Sequence, residues 1–195
     1  MTTKGFGFFF LGMALIISGL VSGCVPLAAT SAAATTVQVA HDRRTLGTLV
    51  DDKTIEIKAQ SKLNKIPEVR DSGHVVITSY NNIVLITGQV PYDYVKDEIT
   101  NSLTALPRVR RVFNELSIAD SSNLKQRSID SWITTKIKSS LLAEGRIDPT
   151  RVKVITENEV VYLLGLVTLD EAETATMIAR QTNGVREVIR AFEYL

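Results

Sequence analysis

The sequence IVLITGQV occupies Ile83–Val90, and the sequence VVYLLGLV occupies Val160–Val167. Both runs consist mainly of β-branched and other apolar residues, which favours a buried strand. Each run carries one glycine at the same position, and a glycine inside a strand is typical of a bulge or of a close approach by another backbone segment. Because Gly88 and Gly165 stand 77 residues apart, the two runs indicate an internal repeat.

Upstream of each run, the sequence predicts an amphipathic helix and then a hairpin. In the helix, an acidic residue is followed by apolar residues at helical spacing, and we expect the acid in the first turn, where the helix dipole favours negative charge. A strand follows and ends in Asn81-Asn82 or Asn158-Glu159, which predict a hairpin turn because asparagine tolerates a positive φ. The helix positions are Asp52, Ile55, Ala59 and Leu63 in the first repeat and Asp130, Ile133, Ile137 and Leu141 in the second.

Downstream of each run, the sequence predicts a second helix and a last strand. The helices are predicted over 94–106 and 170–182, and the strands begin near Val109 and Val185. Each repeat is therefore α-β-β-α-β, which can form a three-stranded sheet with two helices on one face. The predicted fold class is α+β with two tandem domains, 46–119 and 124–195. The connection between them is so short that we expect little independent motion.

The helix, the pattern Val-x-Leu-x-Gly-x-Val and the later Val-x-x-Val together resemble the BON domain, a bacterial module named for osmotic-shock and nodulation proteins. The resemblance covers nearly all of the chain from Asp42 to Leu195. It implies a protein that binds membrane phospholipid and supports outer-membrane integrity, often near the division site. Some proteins with two BON domains carry the label haemolysin, which implies an alternative, lytic action on membranes.

Cys24 is the only cysteine in the chain and follows an uncharged apolar run, Phe6–Leu20, behind Lys4. Fifteen residues are fewer than the roughly 20 that a spanning helix needs, so residues 1–23 are predicted to be a secretory signal. The sequence around Cys24, Val-Ser-Gly-Cys, resembles the lipobox of bacterial lipoproteins. That resemblance implies a diacylglycerol and an N-acyl chain on Cys24, and no other cofactor is expected. The alternative is an ordinary buried thiol, or a signal that is cut elsewhere.

The residue after the predicted lipid anchor is Val25, whereas in lipoproteins of enteric-type bacteria an aspartate there favours retention in the inner membrane. The resemblance therefore implies a lipid-anchored protein on the periplasmic face of the outer membrane. Residues 24–45 begin with a stretch dominated by Ala, Ser, Thr and Val, and we predict that they form a flexible tether. Without residues 1–23, the chain has equal numbers of basic and acidic residues, so a general attraction to nucleic acid is not expected.

Trp132, the only tryptophan, lies about 100° around its helix from the apolar stripe and shares a face with Ser128. Between Leu124 and Leu142, four basic residues stand against one acid. Tryptophan beside lysines is typical of the interface of an anionic bilayer, so we predict contact with anionic phospholipid of the inner leaflet. The alternative is that Trp132 packs against the first domain or the linker. The candidate lipid-binding residues are Trp132, Lys136, Lys125 and Ser139.

Arg108, Arg110 and Arg111 form a small basic cluster near the start of a strand. Such arginines are typical of strand edges that are protected from pairing, and the alternative is a docking face for proteins, for example those of outer-membrane assembly. Histidine occurs only at positions 41 and 74, and neither belongs to a nucleophilic arrangement. No group of residues has metal-ligand spacing, and the strand glycines do not open a helix as a phosphate loop requires. The sequence therefore predicts neither an enzyme nor a metal site.

Overall fold

Residues 42–195, which the computed structural model describes, form two α-β-β-α-β repeats. The predicted signal 1–23, Cys24 and most of the predicted tether lie outside these residues. The first repeat contains α1 (Leu46–Leu63), α2 (Pro67–Ser72), β1 (His74–Tyr80), β2 (Ile83–Val90), α3 (Asp93–Thr104) and β3 (Arg111–Ile118). The second repeat contains α4 (Leu124–Glu144), a 3₁₀ turn (Pro149–Arg151), β4 (Val152–Glu157), β5 (Val160–Val167), α5 (Leu169–Gln181) and β6 (Glu187–Tyr194).

Each repeat builds one three-stranded sheet, with β2 or β5 in the centre. The first two strands of each sheet are antiparallel, and the third is parallel to the central strand. A parallel neighbour requires a crossover connection, which α3 and α5 supply. The predicted hairpin turns are confirmed, because Asn81, Asn82, Asn158 and Glu159 all have positive φ, at 52°, 64°, 49° and 65°.

Both strand glycines allow a close backbone approach, as predicted. A Cβ at Gly88 would collide with the carbonyl oxygen of His74 on the neighbouring strand, and the φ of Gly88 is +118°. A Cβ at Gly165 would lie 2.5 Å from the carbonyl oxygen of Arg151. The repeat therefore keeps glycine at a position where a side chain would push β1 away from β2, or β4 away from β5.

Each sheet packs one face against its own helices, and the predicted apolar stripes are confirmed. Ile55, Ala59 and Leu63 are buried in the first core, and the equivalent residues of α4 are buried in the second. A third cluster joins the two sheets, and its buried members are Tyr80, Leu85, Val160, Tyr162, Leu164 and Ala191. The central strands are therefore buried on both faces, which explains their continuous apolar sequence. All three clusters lie within one compact unit, His41–Leu195.

The prediction that the acidic residues lie in the first helical turn is wrong. The helices begin at Leu46 and Leu124, six residues before Asp52 and Asp130. Both carboxylates are buried and accept hydrogen bonds from the hairpin turn of their own repeat. A pattern of apolar residues shows the face of a helix but not its start, and the backbone donors of a distant turn cannot be read from local spacing.

The described end of the predicted tether, 42–45, is held against the folded chain, which corrects the predicted boundary at residue 45. The Arg43 guanidinium donates to both carboxylate oxygens of Glu171, at 2.6 and 3.0 Å, and to the carbonyl oxygen of Leu166. Arg44 pairs with Asp52, and its guanidinium lies 3.9 Å from the centre of the Tyr80 ring. The acceptors of Arg43 come from a distant part of the sequence, so composition alone suggested a tether.

Candidate functional site

Helix α4 carries the predicted functional residues, and its two ends are well defined. The side chain of Asn123 accepts a hydrogen bond from the backbone N–H of Gln126 and caps the start of the helix. At the other end, Gly145 adopts a left-handed φ of 74°, which glycine tolerates without strain. Between these caps, Ile133, Ile137 and Leu141 are fully buried against the sheet, which fixes the rotation of the helix about its axis.

Trp132 is 53% exposed, as its position about 100° around the helix from the buried stripe indicates. The Lys136 ammonium lies 4.4 Å from the centre of the indole ring, within the range of a cation–π interaction. The indole also lies beside Gly184, in the turn before β6. The cluster that joins the two sheets consists of other residues. Packing of Trp132 against the first domain or the linker stays the alternative.

The exposed side of α4 is apolar and cationic. Leu124 is 80% exposed and Leu142 is 71% exposed, one near each end of the helix. The one acidic residue between positions 124 and 143, Asp130, is only 4% exposed. We call the side centred on Trp132 the Trp132 face; it consists of Lys125, Ser128, Trp132, Lys136 and Ser139, and Leu124 and Leu142 lie at its edge, about 80° around the helix from Trp132.

The buried Asp130 carboxylate links the buried side of α4 to the β4–β5 turn. It accepts hydrogen bonds from the backbone N–H groups of Asn158 and Glu159, both at 2.9 Å, and from the side chain of Gln126 at 3.3 Å. Asp52 makes the equivalent pair of bonds in the first repeat. Each acid therefore links its helix to a turn whose two residues have positive φ. Sequence reasoning found these positions but assigned them a different role.

The arginine cluster that was predicted as an edge or a docking face takes part in contacts within the chain. Arg108 forms an ion pair with Asp51, and Arg110 donates to Glu193 of the second repeat at 2.8 Å. The Arg111 guanidinium lies 5.6 Å from the centre of the Phe113 ring. The structure thus brings the three arginines to one strand start, where Arg110 links the two repeats.

Sequence reasoning missed a charged contact between the segment 42–45 and the second repeat that is centred on Glu171. This carboxylate accepts hydrogen bonds from Arg43, from Arg151 and from the backbone N–H of Thr168. Burial alone would raise the pKa of Glu171, but these bonds outweigh it and lower the pKa to about 2. The capping-box pattern, with Thr168 three residues before Glu171, was a visible signal for the acid, although not for its arginine partners.

Within residues 42–195, no helix is long and apolar enough to cross a membrane. In the same part of the chain, no three His, Cys, Asp or Glu side chains are grouped so that they could hold a metal ion. What the described residues offer is a surface: a helix face with an exposed indole and lysines on a rigid support.

Each sheet is covered by helices on one face and packs against the other sheet on its second face. This arrangement defines a class of protein built from two small α+β domains in tandem. A family model described as the BON domain matches residues 51–120 and 129–195. The chain therefore belongs to the BON domain family.

Three relatives show how far this likeness extends. The chain is 40% identical to the outer membrane lipoprotein DolP of Haemophilus influenzae, over 95% of this chain and 93% of that protein. It is 36% identical to a 21 kDa hemolysin of Actinobacillus pleuropneumoniae, over 79% of each. It is 26% identical to the osmotically-inducible protein Y of Escherichia coli, over 73% of this chain and 72% of that protein.

These likenesses confirm the predicted family, the α+β fold of two BON domains and the placement as an outer-membrane lipoprotein. The names of these relatives are those of lipoproteins, a hemolysin and an inducible protein, not of enzymes. The lipidation of Cys24, the roles of the Trp132 face and those of the arginine cluster remain predictions.

Proposed function

We propose that this chain is a non-catalytic lipoprotein that binds anionic phospholipid of the inner leaflet of the outer membrane through the Trp132 face. By this contact it supports envelope integrity, and the division site is a place where we expect it to act. The observation that carries the proposal is the exposed indole with the Lys136 ammonium against it, on a helix whose one acid between positions 124 and 143 is buried.

The physical argument rests on what an anionic bilayer surface favours. An indole partitions to the headgroup level, and each lysine near the surface contributes about 1 kcal/mol of attraction. The exposed Leu124 and Leu142 extend the apolar part of the face along about 27 Å of helix, at 1.5 Å per residue. With a lipid on Cys24 as well, the chain has two membrane contacts, and the second acts at a high effective concentration. A weak contact by the face is then sufficient.

The test uses the fragment Val25–Leu195, which lacks the predicted signal and the lipid but contains the whole compact unit. Vesicles of phosphatidylcholine, with and without phosphatidylglycerol, are titrated while the fluorescence of Trp132 is recorded. We expect a blue shift that requires phosphatidylglycerol. Lys136→Glu should weaken binding by about 10- to 30-fold, because two charge units change at the surface.

The repeat supplies a matched control for this variant. Lys58 is exposed on α1, 78 residues before Lys136, and Lys58→Glu changes the net charge equally. We expect Lys58→Glu to bind within about threefold of the wild type, the size of a screened long-range effect. Trp132→Ala is followed by co-sedimentation with the same vesicles, because it removes the fluorophore. Unchanged binding in both Trp132→Ala and Lys136→Glu would refute the proposal.

A second candidate function is lysis of host membranes, which the name of the Actinobacillus relative favours. No helix within residues 42–195 could span a membrane, so lysis by this part would have to act by disturbing the lipid surface. We expect the purified Val25–Leu195 fragment not to lyse erythrocytes. Clear lysis by this fragment would place the lytic function first.

A third candidate function is protein docking at the arginine cluster, with outer-membrane assembly proteins as partners. Arg111 supports it most, because it is exposed, lies over the ring of Phe113 and forms no ion pair within residues 42–195. Arg110 supports it least, because it already pairs with Glu193. If charge reversal at Arg111 leaves the set of proteins that co-purify with the chain unchanged, this candidate is refuted.

A further inference from the structure

A groove with a volume of about 480 Å³ runs between α4 and β4, beside the Trp132 face. Four of its lining residues are spaced at i, i+4, i+8 and i+11 along α4, which places them on one stripe of the helix. This stripe lies next to the Trp132 face and is otherwise unused by the proposed function. The lining includes His74 of β1, the stripe residues Arg127, Ser131, Thr135 and Lys138, and Thr156 of β4.

Two carboxylates line the same groove, and both already have partners. Asp130 accepts the backbone bonds of the β4–β5 turn. Glu157 is buried and accepts a bond from the Gln89 amide at 2.8 Å, and its other oxygen lies 3.6 Å from Nε2 of His74. Burial alone would raise the pKa of Glu157, but the bonds from His74 and Gln89 outweigh it and lower the pKa, so this acid stays ionised.

The other groups that face the groove are cations and hydroxyls. Arg127 donates through Nε to the Ser122 hydroxyl at 3.2 Å, and its charge contributes to the lowered pKa of Glu157, although it forms no ion pair within residues 42–195. Lys138 is exposed. Thr135 and Ser131 are exposed one and two turns before it, and the Thr135 hydroxyl already donates to the carbonyl oxygen of Ser131 at 2.9 Å. This set of donors suits an anion with several oxygen acceptors.

The first repeat contains an equivalent groove, between α1 and β1, that lacks this character. There Glu56 stands at the position of Thr134, and it accepts bonds from the backbone N–H of Ser79 and from Lys153. Gln60 takes the place of Lys138, and Leu49 takes the place of Arg127. In the second repeat, Thr134 instead bonds the Thr156 hydroxyl at 2.7 Å. In the first groove, Glu56 pairs with Lys53 and Lys153. In the second, Thr134 replaces that carboxylate, and the two acids of the groove, Asp130 and Glu157, bond the β4–β5 turn and the Gln89 amide.

We propose that the groove between α4 and β4 binds the phosphate group of an anionic phospholipid, with Arg127 and Lys138 as charge partners and the Ser131 hydroxyl as a hydrogen-bond donor. This inference rests on the proposed function, because the neighbouring Trp132 face brings the groove to the lipid surface. It adds a defined headgroup site to what would otherwise be a diffuse attraction.

The experiment compares two double variants of the Val25–Leu195 fragment. Arg127→Gln with Lys138→Gln removes the groove cations, and Lys58→Gln with Lys65→Gln removes two exposed charges from the first repeat. Binding to phosphatidylglycerol-containing vesicles is measured by Trp132 fluorescence, and far-ultraviolet circular dichroism checks the fold. We expect a loss of affinity of about 10- to 30-fold for the groove variant and of at most about threefold for the control. Lys138→Arg, which keeps the charge, should bind like the wild type.

A second measurement identifies the source of the phosphate. Amide shifts of the groove residues are followed by NMR with inorganic phosphate, at an ionic strength matched with chloride, and with phosphatidylglycerol vesicles. Shifts at Ser131, Thr135 and Lys138 with the vesicles support the proposal. Shifts with inorganic phosphate alone, and no vesicle binding by the wild type, would assign the groove to free phosphate and overturn both the proposal and the proposed function.

Two further outcomes separate the inference from the function on which it rests. If the wild type binds vesicles with a blue shift and the groove variant binds equally well, the groove site is refuted and the Trp132 face stands. If the groove variant and the control variant lose affinity equally, the attraction is diffuse and the groove site is again refuted.

Discussion

Asp130→Ala should destabilise the protein by about 3 to 4 kcal/mol. The carboxylate is 4% exposed and accepts two backbone hydrogen bonds at 2.9 Å from a turn whose residues both have positive φ. Hydrogen bonds to a charged group are worth about 1.5 to 3 kcal/mol each, and part of this loss is recovered if water reaches the turn. Asp52→Ala should cost more, because Asp52 also accepts a bond from the Ser79 hydroxyl and pairs with Arg44.

The assay is urea unfolding of the Val25–Leu195 fragment, followed by Trp132 fluorescence and by far-ultraviolet circular dichroism. Trp132 reports on the second repeat alone, whereas circular dichroism reports on both. Because a shared apolar cluster joins the two sheets, we expect one transition, and Asp52→Ala should shift the fluorescence midpoint as well. A loss below about 1 kcal/mol for Asp130→Ala would refute the role of the carboxylate in the turn. If the urea midpoint followed by Trp132 fluorescence is the same in Asp52→Ala as in the wild type, the coupling of the repeats is refuted.

Two further predictions concern the ion pairs of Glu171, which hold the segment 42–45 on the second repeat, and the close approach of the strands at the strand glycines. The pKa of Glu171 falls from its ordinary 4.5 to about 2, so its stabilising contribution is present above pH 4.5 and is lost as the pH falls toward 2. Urea unfolding from pH 6 to pH 2 should therefore show a smaller acid loss for Glu171→Gln than for the wild type, and equal slopes would contradict this. Gly88→Ala should cost at least about 2 kcal/mol, and more than Gly165→Ala, because only Gly88 has a positive φ as well as a blocked Cβ position. Thermal melts of both variants test the order.

The sequence predicted those parts of the fold that a local pattern records. The spacing of Ile133, Ile137 and Leu141 gave the buried face of α4, and Asn81-Asn82 gave a turn whose φ values are positive. The short helix α2 escaped prediction because six residues are too few to show a helical period, although Pro67 at its start was a signal. The starts of the long helices were not predicted for a related reason: the first turn of α4 carries few apolar residues, so the helical period does not extend to its first residue.

The packing of sheet on sheet could not be read from the pattern alone. A continuous apolar run such as Val160–Val167 indicates burial on both faces, but it does not say what covers the second face. Tyr162 and Leu164 pack in the cluster that joins the two sheets, whereas Leu163 packs in the core of its own repeat. All three belong to one apolar run, so the sequence pattern does not distinguish them. The Trp132 face was more accessible to prediction, because helix geometry fixes the angle between a residue and the buried stripe.

The duplication separates the residues that hold the fold from those that distinguish the second repeat. Asp52 and Asp130 occupy equivalent positions and make the same bonds to equivalent turns, so this pair belongs to the architecture. On the outer side of the same helices the repeats differ: Thr54 occupies the position equivalent to Trp132, and Gln60 the position equivalent to Lys138. A requirement of the fold would act on both copies, whereas these differences place an indole and a cation on one copy only. The indole and the extra cation on α4 are therefore an added property of the second repeat. They lie on the surface, where residues can change without disturbing either core.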